Sequence, residues 1–206
     1  MMQTIVLATG NTGKVKEFRT MLSEFQHTVK SLEDYPEIGE IVEDGLSFEE
    51  NALIKARAVC AATGLIAVAD DSGLEVDALD GRPGIYSARY SDEPTAPATP
   101  ARNNAKLLSA LSRIPEQDRT ARFCCVIAAC APNGETLVTQ AHWEGRIANA
   151  LSGEQGFGYD PLFFDPELGM TAAMMVPEVK NSRSHRGKAL ARLLDVWPEF
   201  MARAGI

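Results

Sequence analysis

The sequence has few histidines, few cysteines and no long apolar segment. Its three histidines are scattered and none of its four cysteines forms a Cys-x-x-Cys pair, so a zinc site is not expected. The apolar runs are far shorter than the roughly 20 residues that span a bilayer. The chain begins MMQTIVLATG, without a basic segment ahead of a long apolar one, so we expect no signal peptide. Together these absences predict a cytoplasmic protein with reduced cysteines and no membrane partner.

Positive charge is also scarce. The 206 residues include 20 lysines and arginines against 28 aspartates and glutamates, which gives a formal net charge of −8. Proteins that bind DNA or RNA normally present a basic face, so this balance argues against a nucleic-acid partner. It suits an enzyme that meets a polyanionic substrate with its own carboxylates and a divalent metal. The length accommodates one α/β domain, and we treat residues 1–206 as that single domain.

Strand and helix patterns alternate in the first third of the chain. Thr4 to Ala8 is a short β-rich run, and the next segment has apolar residues at helical spacing up to Phe25. Ser47 with Glu50 three residues later is a capping box that predicts the start of a second helix. These alternations predict an α/β fold.

Two later patterns predict strands. Leu65 to Ala69 is a continuous apolar run, which we interpret as a buried strand that ends at Asp70. Further on, Pro132-Asn133-Gly134 separates two strand-like segments and is typical of a hairpin turn.

The turn from Thr9 to Lys14, TGNTGK, is the first motif that packing does not explain. It lies between a predicted strand and a predicted helix, where N–H groups at the helix start attract anions and the lysine adds positive charge. The spacing is neither that of a Walker A loop nor the GxGxxG of dinucleotide folds. Taken alone, it is equally consistent with a simple strand-to-helix turn.

Adjacent carboxylates, Asp70 and Asp71, follow the predicted buried strand. Carboxylates are costly to place there unless they meet water, a cation or hydrogen-bond donors. Ligands of open α/β sheets bind at the carboxyl ends of strands, so we expect a magnesium site, or one metal ligand and one general base. A solvated turn is the alternative. On the preceding helix, Asn51 and Lys55 lie four residues apart and can point at one ligand.

Two motifs near the C-terminal end combine aromatic and basic residues. The segment Gly156 to Pro161, GFGYDP, holds aromatic side chains between glycines and can offer a flat surface to a base. The second motif is Lys180 followed by Ser184-His185-Arg186-Gly187 at a predicted helix start. Cations are unfavourable at a helix N-terminus, so these side chains need an anion or an acceptor.

Six strings together resemble the inosine/xanthosine triphosphate pyrophosphatases, a family that removes deaminated purine nucleotides. They are LATGNTGKVKEF, LSFEENA, ADDSGLEVDAL, GRPGIYSARY, GFGYDPLF and SHRGKAL. They occur in the family's order between Leu7 and Leu190, so the resemblance covers nearly the whole chain. One such string is a weak signal, but six in order are specific.

The resemblance implies a curved mixed β-sheet with flanking helices, forming two lobes around a nucleotide-binding groove. It also implies a homodimer that requires Mg²⁺ and hydrolyses ITP, dITP and XTP in preference to ATP and GTP. The products would be the monophosphate and pyrophosphate, which keeps these nucleotides out of nucleic acids.

Site residues follow from the same resemblance. Asp71 is implied as the catalytic residue and a metal ligand, with Asp70 and Glu43 beside it. Which aspartate is the base, and whether Glu40 takes the place of Glu43, stays open. The residues implied to bind the substrate are Thr9, Gly10, Asn11, Thr12, Gly13, Lys14, Lys55, Ser72, Phe157, Gly158, Tyr159, Asp160, Lys180, His185 and Arg186.

Two other functions compete with this one. A strand that ends in aspartates also suits a phosphomonoesterase of the haloacid-dehalogenase type, although that family uses Asp-x-Asp and this chain has Asp70-Asp71-Ser72. A nucleotide-binding sensor without catalysis would have no need of two carboxylates at a phosphate site.

Overall fold

The computed structural model describes residues 3–22 and 27–206, which form a seven-stranded sheet with flanking helices. The strands are β1 (Thr4–Leu7), β2 (Thr28–Ser31), β3 (Ile66–Val76), β4 (Thr120–Cys130), β5 (Thr136–Ile147), β6 (Phe163–Asp165) and β7 (Met170–Thr171). The helices are α1 (Thr12–Leu22), α2 (Phe48–Thr63), α3 (Pro100–Ala110), α4 (Pro177–Arg183) and α5 (His185–Arg203). Among these helices, none is long and apolar enough to cross a membrane.

The sheet is mixed. Its strand order is β2-β1-β3-β4-β5-β6-β7. β1 pairs in parallel with β2 and β3, whereas β6 pairs antiparallel with β5 and β7. Parallel neighbours need a crossover, which α1 and α2 provide between the first three strands. The predicted α/β class with a mixed sheet is therefore confirmed.

The chain divides into two compact units that are not contiguous in sequence. The first unit comprises residues 1–71, 125–141 and 186–206, and the second comprises residues 72–124 and 142–185. β3, β4 and β5 each supply residues to both units.

Each unit has its own apolar core. In the first, α5 packs Leu190, Leu193 and Phe200 against strand residues such as Ile5 and Val68. The core of the second unit contains Leu74, Leu107, Phe123, Trp143 and Phe163.

Two local predictions are confirmed in detail. Ser47 Oγ accepts a hydrogen bond of 3.1 Å from the Glu50 N–H, so it caps α2. The Glu50 carboxylate accepts from the Leu46 N–H at 2.6 Å rather than from Ser47, one residue away from the usual capping box. The hairpin after β4 turns at Gly134, which has a φ of 91° and donates to the Ala131 carbonyl oxygen at 2.9 Å.

The predicted end of the third strand is wrong. β3 does not stop at Asp70 but continues to Val76, because Leu74 and Val76 of its second half are buried in the core of the second unit. The two aspartates therefore lie in the middle of an eleven-residue strand. The predicted apolar stripe of α1 is confirmed at Val15 and Phe18, whereas Phe25 lies outside the described residues.

Candidate functional site

The turn that enters α1 is built by its own polar side chains. Asn11 Oδ1 accepts from the Lys14 N–H at 3.1 Å and so caps the helix, while Thr9 Oγ1 accepts from the Asn11 N–H at 3.1 Å. Gly10 has no positive φ, and a Cβ placed on it would meet no atom within 4 Å. Neither backbone strain nor packing within the chain therefore requires a glycine at this position.

Asp70, in the middle of β3, is fully buried and contacts two cations. Its Oδ2 lies 2.9 Å from Lys14 Nζ and 3.4 Å from the guanidinium of Arg186, which is itself buried. α1 supplies the lysine and the first turn of α5 supplies the arginine. Asp70 thus explains how basic residues are tolerated at the start of α5, where the helix dipole disfavours them.

The environment of Asp70 keeps it ionised. Burial alone would raise the pKa of this carboxyl, but the positive charges of Lys14, Arg186 and Lys55 outweigh burial. Its pKa therefore lies well below the usual range for an aspartate. Because a proton acceptor works best with a pKa near the working pH, Asp70 is poorly suited to act as a general base.

Asp71 shares a lysine with a second carboxylate. Lys55 Nζ, on α2, donates to Asp71 Oδ1 at 3.1 Å and to Glu43 Oε2 at 2.9 Å. Glu43 lies in the segment before α2, and its side chain is 35% exposed. The structure thus brings Glu43, rather than Glu40, to the ammonium group that also contacts Asp71.

The pKa values of Asp71 and Lys55 are both raised. Burial raises the pKa of Asp71 and the charge of Glu43 adds to the rise, which exceeds the opposing effect of Lys55 and Lys14. Burial would lower the pKa of Lys55, but the carboxylates of Asp71, Asp70 and Glu43 raise it overall. At neutral pH, Lys55 is therefore a cation, and the pKa of Asp71 lies above that of Asp70.

One residue outside the predicted substrate-binding set also contacts Asp71. Asn51 Nδ2, on α2, donates to Asp71 Oδ2 at 3.2 Å. The four-residue spacing between Asn51 and Lys55 was the sequence signal for this contact, and the structure confirms that both point at the same carboxylate.

In the second unit, the Gly156–Pro161 turn closes around Asp160. Asp160 Oδ2 accepts from the Phe157 N–H at 2.7 Å and from Lys180 Nζ, on α4, at 2.8 Å. A Cβ on Gly156, which has a φ of 75°, would lie only 2.0 Å from the same oxygen. The glycine is therefore required here, unlike Gly10.

The Phe157 ring in this turn remains accessible. Phe157 is 39% exposed, and Lys180 Nζ lies 5.1 Å from the centre of its ring. Asn104, on α3, supports the same turn by donating from Nδ2 to the Gly158 carbonyl oxygen at 3.0 Å. Asn104 could not be predicted as a site residue, since nothing in the sequence of α3 distinguishes it from a solvated asparagine.

Tyr159 occupies the core rather than a surface. It is buried, and its hydroxyl donates to the Ser87 carbonyl oxygen at 2.8 Å. Burial raises the pKa of its phenol, with a smaller contribution from Tyr90, so it stays protonated. The predicted substrate contact at Tyr159 therefore falls on a side chain that is already engaged in packing.

His185 and Ser72 are the remaining predicted residues of the second unit. The His185 ring stacks on Phe123, with centroids 4.7 Å apart and an interplanar angle of 17°. Ser72 is half-buried in β3, directly after Asp71.

The predicted metal group is divided in two by this geometry. Asp71 and Glu43 meet at Lys55, whereas Asp70 contacts Lys14 and Arg186. In residues 3–22 and 27–206, no group of three or more His, Cys, Asp or Glu side chains is arranged to hold a metal ion. The chain thus offers two carboxylates at Lys55 rather than a closed cage of three.

Comparison with known proteins gives concordant results. The model of the Ham1 family matches residues 5–196. A protein of Nitratidesulfovibrio vulgaris named dITP/XTP pyrophosphatase is 58% identical over 200 residues, which cover 96% of this chain and 97% of that protein. A Geobacter sulfurreducens protein with the same name is 52% identical over 194 residues, covering 94% and 96%. The solved structure of a HAM1 protein from Coxiella burnetii superposes with a TM-score of 0.87 at 42% identity, covering 96% of this chain and all of that one.

Proposed function

The chain belongs to the Ham1 family, and from that we propose that it hydrolyses the non-standard purine nucleoside triphosphates ITP, dITP and XTP to the monophosphate and pyrophosphate. The observation that carries this proposal is the pair of carboxylates, Asp71 and Glu43, that meet at Lys55. A reaction that cleaves a phosphoanhydride needs cations on the phosphates, a water and a base that orients it. Removing these nucleotides would prevent their incorporation into nucleic acids.

The charge balance around Asp70 and Asp71 favours a divalent metal. The three carboxylates Glu43, Asp70 and Asp71 are matched by Lys14, Lys55 and Arg186, so the cluster has no excess of positive charge. A triphosphate brings about four negative charges and needs additional cations to bind there.

Magnesium fits these residues. It binds through one or two carboxylates, waters and substrate phosphates rather than in a cage made only of protein. Asp71 and Glu43 would hold it, since both have oxygens directed at the cation already present, Lys55 Nζ. When bound, magnesium supplies positive charge to the phosphates.

Asp71 acts as the general base in this proposal. It lies beside Glu43 at Lys55, whereas Asp70 is engaged by Lys14 and Arg186, and each Asp71 carboxylate oxygen can accept a further hydrogen bond. An Asp71 oxygen takes the proton of a water that attacks the α-phosphorus. The bond from that phosphorus to the bridging oxygen breaks, and pyrophosphate leaves.

The turn from Thr9 to Lys14 binds the phosphates. The first N–H groups of a helix have no partner within the helix, and they favour anions. Neither backbone strain nor packing requires a glycine at position 10. We therefore propose that the absence of a side chain at Gly10 lets a phosphate approach the backbone closely. Asp70 holds Lys14 and Arg186 in place, so we assign it to positioning these cations rather than to the metal.

The residues of the second unit recognise the base. Phe157 offers its exposed ring for stacking, and Asp160 with Gly158 shapes the turn that presents it. Hypoxanthine and xanthine carry an oxygen at C6 where adenine carries an amino group, so donors aimed at C6 discriminate between them. We assign this role to Lys180, His185 and the opening of α5, with Ser72 contacting the nucleotide.

We also propose that the protein acts in the cytoplasm as a homodimer, as the family resemblance implies. Sedimentation equilibrium over a range of micromolar concentrations tests the dimer directly. A single species with the mass of one chain would contradict it.

A panel of nucleoside triphosphates tests the proposed reaction. ITP, dITP, XTP, GTP and ATP are incubated with Mg²⁺, and pyrophosphate and orthophosphate are measured separately. We expect pyrophosphate from the first three, at least about 30-fold discrimination against ATP from two mismatched polar groups, and no turnover in excess chelator. Orthophosphate as the initial product would indicate a phosphomonoesterase, and binding without turnover would indicate a sensor.

A further inference from the structure

Asn51, on α2, connects two parts of the site through the hydrogen bonds of its side chain. Its side chain is almost completely buried, at 1% exposure. Nδ2 donates to Asp71 Oδ2 at 3.2 Å, and Oδ1 accepts from the Gly45 N–H at 2.9 Å. One amide therefore contacts the proposed base in β3 and the backbone of the segment that precedes α2.

The orientation of this amide is determined by its partners. The Gly45 N–H can only donate, so it must face Oδ1. The Asp71 carboxylate can only accept while it is ionised, so it must face Nδ2. A flipped amide would place donor against donor and acceptor against acceptor. Asn51 thus satisfies both contacts in one orientation only.

Gly45 approaches Asn51 too closely for any other residue. A Cβ at Gly45 would lie 2.7 Å from Asn51 Oδ1 and 2.7 Å from Glu50 Cβ. Gly45 is two residues after Glu43, whose carboxylate reaches Lys55. Fixing Gly45 against α2 therefore restricts where the Glu43 side chain can be.

We propose that Asn51 is a positioning residue that holds Asp71 and the Glu43-bearing segment in their places around Lys55. This assignment rests on the proposed function, because it concerns the base and the carboxylates of that site. Hydrogen-bonding partners of functional carboxylates in metal sites typically contribute 10- to 100-fold in activity or metal affinity.

Two substitutions separate the two halves of this role. Asn51→Leu has a similar volume but forms neither hydrogen bond. Asn51→Asp keeps an acceptor for the Gly45 N–H but removes the donor to Asp71. Asn103→Leu is the matched control: Asn103 is also buried, on α3, and it forms hydrogen bonds with Ser91 and Ala88 instead of a site carboxylate.

The readouts are kcat and KM per folded molecule, together with amide hydrogen exchange at Gly45. We expect kcat to fall roughly 10- to 100-fold in both Asn51 variants, with KM for dITP changed less than about threefold. Gly45 should lose its protection from exchange in Asn51→Leu but keep it in Asn51→Asp. The Asn103 control should keep kcat and the protection of Gly45.

Three results would overturn the assignment. Wild-type kcat in Asn51→Leu would show that the amide positions nothing that matters to turnover, while leaving the proposed function intact. Full activity in Asn51→Asp would show that Asn51 does not position Asp71. Unchanged hydrogen exchange at Gly45 in Asn51→Leu would show that Asn51 does not hold the Glu43-bearing segment. Absence of turnover in the wild-type enzyme would instead contradict the proposed function, and it would be seen before any substitution is made.

Discussion

Asp71 in the first unit and Asp160 in the second each contact a buried lysine, yet the two pairs differ in what surrounds them. Lys180 donates to Asp160, and the same carboxylate oxygen also accepts from the Phe157 N–H. Lys55 is shared between Asp71 and Glu43. In the second unit one lysine thus meets one carboxylate, whereas in the first unit one lysine meets two carboxylates.

This difference supports a structural role for the Asp160 pair and the chemical role that we propose for Asp71. A buried pair with matched charges and satisfied hydrogen bonds fixes the conformation of a turn. A carboxylate that shares its cation, and whose pKa is raised by burial, retains affinity for a proton or a metal ion. The comparison assigns Asp160 to shaping the turn and Asp71 to chemistry, and substitutions in both units can break or sharpen it.

The largest effect on turnover is expected from Asp71→Asn. The substitution keeps the shape of the side chain but removes the proton acceptor, so kcat for dITP should fall roughly 10²- to 10⁴-fold. Pyrophosphate release measures this, and circular dichroism confirms that the fold is intact. Near-normal turnover in a folded variant would refute the assignment of the base.

Asp160→Ala should act mainly on stability. It leaves Lys180 buried without its counter-charge and the Phe157 N–H without its acceptor, at a cost of about 3–5 kcal/mol. Urea denaturation measures the free energy of unfolding, and Asp160→Asn, which keeps an acceptor, should lose less. If unfolding were unchanged while kcat fell as far as in Asp71→Asn, the roles of the two carboxylates would have to be exchanged.

Phe157→Ala tests whether the aromatic ring on the Gly156–Pro161 turn stacks on the base of the nucleotide. Stacking of a base on an aromatic ring is worth about 1–3 kcal/mol, so KM should rise roughly 5- to 150-fold for ITP, XTP and GTP alike. Turnover at saturation should change little, since the phenyl ring has no group that can take part in proton transfer. A rise in KM for ITP alone would mean that Phe157 discriminates between purine bases rather than stacking on all of them.

Gly10→Ala should produce the smallest effect, and only on binding. Because Gly10 has no positive φ and space around its Cα, alanine should leave stability unchanged or raise it by about 0.4–1 kcal/mol. KM for the nucleotide should rise several-fold if a phosphate approaches this backbone. Gly64→Ala is the contrasting control, because Gly64 ends α2 with a φ of 66°, so that variant should lose stability without a change in KM. An unchanged KM in Gly10→Ala would leave this glycine without an assigned role.

Local sequence patterns were sufficient where the structure depends on neighbours in the chain. The Thr9–Lys14 turn, the Ser47 cap and the hairpin at Gly134 were all predicted from short-range chemistry, and the structure confirms each of them. The face shared by Asn51 and Lys55 follows from helix geometry alone.

Long-range partners could not be predicted in this way. Arg186 reaches Asp70 across 116 residues, and no sequence spacing encodes that contact. The continuation of β3 beyond Asp70 was also missed, because buried carboxylates in mid-strand are stable only when cations from distant elements meet them. The hydrogen bond from the Tyr159 hydroxyl to Ser87, which is 72 residues away in the chain, could not be predicted either, and the substrate contact expected of Tyr159 stays a prediction.

The discontinuous build of the first unit has a consequence for biosynthesis. Its core joins Ile5 and Val68 to Leu190 and Leu193, so the early strands cannot be covered until α5 has been made. At about 5–20 residues per second, the ribosome needs roughly 6–25 s to extend the chain from Val68 to Leu190. During that interval the nascent chain carries apolar strands without their helix, the condition in which chaperones bind and aggregation begins. The core of the first unit is thus complete only after α5 has been made.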